Sequence, residues 1–313
     1  MKRRSDWKVF TIVIVALFLI GLFFVHFYVP RFITEIRNPI IRLVRGNPSK
    51  VKRPTFTERE AEGRYFRFES FDKVQLSSFL SYSKLDTTKG TVILLHGIRS
   101  YKEHFIGLSE KLSRLGYNSV ALDSRAHGES QGQHCTFGVK EKKDISKLID
   151  ALEAKEGITH NIGVWGQSLG GAIGLQALGS DKRIKFGIIE STFSDFQAIT
   201  NDYFNYHAGF NIRMLTNYLV GRAGTIAGFD PEDARPMKYC KNIEQPILIV
   251  HGNKDIRISI DYARANFANL ASEEKEFLEM ESANHLNVWK IGGDRYFEKV
   301  VAFLHESTVG SRE

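Results

Sequence analysis

The chain has 313 residues, 42% of them hydrophobic and 25% charged, with a formal net charge of +7. Such a length and composition fit one large core or two modest ones and exclude a disordered or fibrous chain. The first 53 residues hold 11 Lys or Arg against Asp6 and Glu35, leaving 32 basic and 34 acidic residues for the rest, so the globular part has no electrostatic footprint for nucleic acid.

Residues 9–29 are almost wholly apolar, with His26 the strongly polar exception. That run matches the roughly 20 residues a helix needs to cross a bilayer, and residues 1–30 read as a tail and a transmembrane helix. A cleaved signal peptide is the rival, but the run exceeds an h-region of about 7 to 15 residues and Val29-Pro30-Arg31-Phe32 has no small-residue cleavage site. Lys2, Arg3, Arg4 and Lys8 before the span face Arg31, Arg37, Arg42 and Arg45 after it, so the side of the membrane stays open. Residues 31–59 are basic and contain Pro39, Pro48 and Pro54, which reads as a linker with a short surface helix near 39–44.

The remainder, residues 60–313, is expected to form one catalytic domain. Residues 64–69 and 75–82 read as an antiparallel hairpin at a sheet edge. Short apolar runs follow at 91–95, 119–122, 162–165, 186–189 and 247–250, with a last strand at 275–280. Between them, helices are expected at 104–115, 139–155, 169–178, 261–270 and 294–305. Continuous β-branched runs mark strands buried on both faces, and their alternation with helices marks a mostly parallel sheet flanked by helices, the α/β class. Reactive groups in such sheets gather beyond the carboxyl ends of the strands.

One motif stands there: Gly166-Gln167-Ser168-Leu169-Gly170 joins the run at 162–165 to the helix at 169–178. A nucleophile on a sharp strand-to-helix turn has strained backbone angles, and glycine on both sides removes the clashes that would forbid the turn. A serine hydroxyl needs a base, and the base needs a carboxylate to orient it. Asp255 follows the strand at 247–250 and His285 follows the strand at 275–280, which completes the order Ser168, Asp255, His285. His160 and His305 lie away from the strand ends, and His96, His127 and His251 read as loop hydrogen-bonding groups. Asp261 is the alternative acid, although it sits where a helix cap is expected. The tetrahedral oxyanion also needs donors, and the backbone N–H groups of Ile98, after His96-Gly97, and of Leu169 are the candidates. Cys135 and Cys240 fit neither a zinc spacing nor a disulfide framework and read as packed thiols.

These residues resemble the α/β-hydrolase superfamily, especially its serine-aminopeptidase-like and monoacylglycerol-lipase-like branch, over roughly residues 64–306. Asp123-Ser124-Arg125-Ala126-His127-Gly128-Glu129-Ser130 is similar to a loop of that branch, with Ala126 where glycine is usual. The resemblance implies the α/β-hydrolase fold, with a small helical lid at about 192–240 over the nucleophile. Phe193, Phe196, Tyr203, Phe204, Tyr206, Phe210, Tyr218 and Phe229 fall in that insertion and suit either an acyl pocket or packing of the lid on the sheet. The expected function is a single-pass, membrane-anchored serine hydrolase acting on an acyl ester or thioester, possible lipid-like substrates included. Alternatives are an aminopeptidase-type serine peptidase, with Glu190 or Asp195 clamping the amine, and a non-catalytic membrane-bound scaffold. No cofactor or metal is implied, since the sequence has neither a clustered ligand spacing nor a phosphate loop.

Overall fold

The computed structural model describes residues 2–37, 62–209 and 212–309. The helix expected at 39–44, Pro39, Pro48, Pro54 and Phe210 lie outside the described residues.

Helix α1 spans Lys2–Phe27 and is long and apolar enough to cross a membrane. The side chains of residues 7–24 are all exposed, as expected of a helix whose apolar surface has no protein to pack on. Tyr28, Val29 and Pro30 turn the chain into a short helix, α2 (Arg31–Thr34). Of the stretch 31–59 read as a linker, residues 31–37 are described. Thr34, Glu35 and Ile36 are buried against the domain, the carbonyl of Thr34 accepts the N–H of Cys135 at 2.9 Å, and the Arg37 guanidinium donates to the carbonyls of His127, Gly128 and Ser130 at 2.7, 2.6 and 2.7 Å. The start of the supposed linker is therefore docked, because its apolar residues and backbone groups find partners that a basic composition does not reveal.

The domain is built on an eight-stranded sheet in the order β1-β2-β4-β3-β5-β6-β7-β8. The hairpin of β1 (Gly63–Glu69) and β2 (Gln75–Ser81) forms one edge, and β2 also runs antiparallel to β4 (Tyr117–Leu122). The other pairings are all parallel, through β3 (Gly90–Leu95), β5 (Ile162–Gln167), β6 (Ile184–Glu190), β7 (Ile247–Gly252) and β8 (Lys275–Met280). Helices cover both faces. One face packs α4 (Glu141–Glu156), α5 (Leu169–Leu178), α8 (Pro236–Cys240) and α9 (Ile260–Ala268), with Ile145, Leu152, Leu175, Cys240 and Ala263 in its core. The other packs α3 (Ile106–Arg114) and α10 (Val288–Val309), with Leu112, Tyr296 and Phe303 meeting Trp165 and Phe186.

Between β6 and β7 the chain forms α6 (Phe196–Ala208), α7 (Arg213–Ala227), a 3-10 turn at Pro231–Asp233 and α8. The helix expected at 104–115 divides into a 3-10 turn (Lys102–Phe105) and α3. The final helix starts at Val288, six residues before its expected start, and kinks at Gly293, whose φ of 50° no other residue type accepts cheaply.

Candidate active site

Ser168 stands at the junction of β5 and α5 with φ 53° and ψ −115°, a conformation that L-residues rarely adopt. Its neighbours make that turn possible. A Cβ on Gly166 would lie 2.2 Å from the carbonyl oxygen of Gly170, and one on Gly170 would lie 2.0 Å from that of Leu95. Hydrogen bonds from Ser168 N–H to the Glu190 carbonyl (2.9 Å) and from the Thr192 hydroxyl to the Ser168 carbonyl (2.7 Å) hold the strained residue in place.

The loops after β7 and β8 approach closely. A Cβ on Gly252 would meet the Ala283 carbonyl oxygen at 2.3 Å, and Lys254 N–H donates to that carbonyl at 2.9 Å. This contact brings Asp255 and His285 together: His285 Nδ1 lies 2.7 Å from Asp255 Oδ2, and His285 Nε2 lies 3.0 Å from Ser168 Oγ. Asp255 Oδ1 accepts the N–H groups of Arg257 and Ile258, each at 2.9 Å. Burial alone would raise the Asp255 carboxyl, but hydrogen bonds from His251, His285 and Ile258 hold it well below the usual carboxylate range. It is thus an anion facing Nδ1, which favours a proton on that nitrogen and leaves Nε2 to face the hydroxyl.

The competing residues have other partners, although His251 Nε2 also lies 3.4 Å from Asp255 Oδ2. His96 Nδ1 bonds to the Gly97 carbonyl, His127 Nδ1 to the Arg125 carbonyl and His251 Nε2 to the Ile258 carbonyl. Asp261 is exposed in the first turn of α9 and pairs with Arg264 at 3.2 Å, while Ser259 serves as the cap. Cys135 and Cys240 are buried free thiols, and burial pushes the Cys240 thiol up to about 12. The loop after β3 meets the Ser168 turn, since a Cβ on Gly97 would lie 3.4 Å from Ser168 Cβ. Leu169 is the first residue of α5, so its N–H has no intrahelical acceptor, and Ile98 lines the same cavity as Ser168.

The remaining polar residues of the β4 loop serve its shape. Asp123 accepts the Lys102 N–H, Lys102 Nζ and Glu129 N–H at 2.7, 2.8 and 2.8 Å, and Arg125 binds Asp144 and Asp72. Ala126 holds φ 63°, the left-handed backbone that glycine would supply, and its N–H donates to the Gln131 carbonyl at 3.0 Å. The loop keeps its shape by hydrogen bonding in spite of the Cβ.

Above Ser168 lies a cavity of about 480 Å³. Phe193, Phe196, Tyr203 and Phe204 line it, together with Ile98, Leu169, Phe137, Ile199 and Leu219. Tyr206 and Tyr218 are exposed instead, and Phe229 packs on the core. Among the lining residues that sequence reasoning missed, Val29 comes from the turn after α1, and Phe32 and Ile33 from α2. The signal was the apolar pair Phe32-Ile33 inside an otherwise basic stretch.

Neither acidic candidate for an amine clamp is available. Glu190 is 2% exposed and accepts Trp165 Nε1 (2.6 Å), Gln167 Nε2 (2.8 Å), Trp289 Nε1 (2.9 Å) and the Tyr296 hydroxyl. Asp195 caps α6 through Ala198 N–H and pairs with Arg235.

The sheet order and the flanking helices are those of the α/β-hydrolase fold, and residues 90–230 match a family model described as alpha/beta hydrolase fold. The chain is similar to an esterase of Pyrococcus furiosus, with a TM-score of 0.65 and 24% identity over 79% of this chain and 91% of that one. At that identity the likeness shows the fold. Among curated proteins it is similar to YqkD of Bacillus subtilis, 24% identical over 65% of this chain and 71% of that protein. It is also similar to the lysophosphatidylserine lipase ABHD12 of Mus musculus, 24% identical over 62% of this chain and 48% of the lipase.

Proposed function

We propose that the protein is a membrane-anchored serine hydrolase that cleaves an acyl ester or thioester through Ser168, His285 and Asp255. The observation that carries this reading is the continuous hydrogen-bonded line from Ser168 Oγ through His285 to Asp255, at 3.0 and 2.7 Å, at the base of an apolar cavity. In the first half-reaction, His285 Nε2 takes the hydroxyl proton as Oγ bonds to the carbonyl carbon. The N–H groups of Ile98 and Leu169 receive the oxyanion, and loss of one such donor typically costs about 3 to 4 kcal/mol in the transition state. His285 then gives its proton to the departing alcohol or thiol, and water repeats the sequence to release the acid. Asp255 stays ionised throughout and stabilises the imidazolium.

The substrate class follows from the wall of the cavity, where aromatic and aliphatic side chains suit a hydrocarbon chain better than a peptide. The esterase and lipase likenesses agree with an ester, and α1 supports presentation at a bilayer. The engagement of Glu190 and Asp195 argues against an aminopeptidase. Turnover of p-nitrophenyl acyl esters and matched acyl thioesters by the full-length protein tests the reading. Ester hydrolysis that disappears in Ser168→Ala is expected; cleavage of amides with no ester turnover contradicts it.

A further inference from the structure

The chain leaves the apolar helix and enters the domain within a few residues, and those residues belong to the cavity. Val29, Phe32 and Ile33 form one wall of the space that holds Ser168. Val29 lies two residues beyond the end of α1 at Phe27, a separation that extended chain can stretch to at most about 7 Å. If α1 crosses a bilayer, this wall cannot stand far from the membrane surface.

The junction is built, not loosely tethered. Arg31 pairs with Glu35 at 2.8 Å, Gln133 Nε2 donates to Glu35 at 3.3 Å, and Thr34 and Arg37 are tied to the loop after β4 as described above. From the lid side, the Tyr218 hydroxyl of α7 hydrogen-bonds His26 of α1. Beside that contact Ile212, just before α7, and Met214 and Tyr218 of α7 are 43%, 82% and 44% exposed, and residues 7–24 of α1 are exposed as well. Half-buried Arg31 and exposed Arg213 lie next to these apolar groups in sequence, where lipid headgroups would meet them.

We propose that residues 29–33 are a fixed wall of the acyl-binding pocket and that a lipid ester's acyl chain enters it from the leaflet, alongside α1 and α7. This rests on the hydrolase reading above and adds the substrate's source. A long acyl chain that reached the pocket through water would expose every methylene on the way, whereas a path walled by the anchor keeps the chain in apolar surroundings. The exposed apolar residues of α7 then sit in the interface and the lid rests on the bilayer.

The test uses the full-length protein in phosphatidylcholine vesicles and a fluorophosphonate with a long alkyl chain ending in a diazirine. After reaction and irradiation, mapped peptides should join Ser168 to residues 29–33. Crosslinks confined to residues 193–204 would overturn the wall. In Ile33→Trp the ratio of long-chain to short-chain fluorophosphonate labelling rates should fall about tenfold, the scale of a one-group mismatch in an apolar pocket. An unchanged ratio also overturns the wall, and the short-chain rate in the same sample reports whether the variant is folded. Labelling should be about tenfold or more faster when probe and protein share a vesicle than when they start in separate ones; equal rates refute delivery from the leaflet. Absence of any labelling at Ser168 removes the hydrolase reading itself, and the proposal falls with it.

Discussion

Four side chains from β5 and α10 converge on the Glu190 carboxyl, which makes it the sharpest place to perturb the structure. In Glu190→Leu the indoles of Trp165 and Trp289 and the hydroxyl of Tyr296 lose their acceptor in the interior. Each orphaned buried donor costs about 1 to 3 kcal/mol, so three cost about 3 to 6 kcal/mol after allowance for the carboxyl desolvation that the substitution relieves. For a domain of this size that corresponds to a fall of about 6 to 12 °C in Tm. Glu190→Gln keeps one oxygen for Trp165 and Tyr296, and its new amide faces Gln167, whose own amide can turn over; a loss of about 1 to 2 kcal/mol is expected. Burial raises the Glu190 carboxyl above the usual carboxylate range despite the four donors. A raised carboxyl contributes stability that is fully present below the unfolded value and is lost as pH rises through the folded one. The deficit of Glu190→Gln should therefore be larger at pH 4.5 than at pH 8. Thermal unfolding in detergent, followed by tryptophan fluorescence, measures both effects. A Glu190→Leu variant within about 1 kcal/mol of wild type would refute the reasoning, because the carboxyl's burial would then cancel its hydrogen bonds.

Three further outcomes follow from the same geometry. Asp255→Asn should lower kcat about 10³- to 10⁴-fold with little change in Tm, because the amide no longer favours the proton on His285 Nδ1; kcat and Tm measured on one preparation check this. Gly170→Ala should cost about 3 kcal/mol or more, since its Cβ falls 2.0 Å from a backbone oxygen. Gly221→Ala, in exposed α7 with nothing within 4 Å, should instead stabilise by about 0.5 to 1 kcal/mol, and denaturant midpoints of the two variants decide. Burial pushes the His127 imidazole down to about 3, with His96 adding to the effect. Because the folded value lies below the unfolded 6.5, the stability from neutral His127 is present above pH 6.5 and is lost as pH falls from there toward 3. Tm should drop between pH 7.5 and 5, and less steeply in His127→Asn.

Much of the fold was legible because its signals are local. Strands β3, β5 and β7 are apolar on both faces and read as unbroken runs. The ends were less legible where polar residues interrupt the pattern: Asn118 hides the start of β4, and exposed Lys185 hides the start of β6. The turn at Ser168 was legible because the demand for glycine at 166 and 170 is steric and comes from nearby backbone. Ala126 shows the limit of such reasoning, since hydrogen bonding maintains a left-handed residue that sequence pattern assigns to glycine. The acceptor role of Glu190 was not legible, because its donors Trp165, Gln167, Trp289 and Tyr296 come from two distant segments. Nor was the cavity wall formed by Phe32 and Ile33, whose basic neighbours suggest solvent while their packing depends on partners over 100 residues away.

Reaction of the full-length protein with a fluorophosphonate, read by intact mass and peptide mapping, addresses the hydroxyl at 168 directly. One adduct on Ser168 is predicted, abolished in Ser168→Ala and greatly slowed in His285→Ala. An adduct that persists in Ser168→Ala, or a wild-type protein that takes up no label at all, would contradict the account.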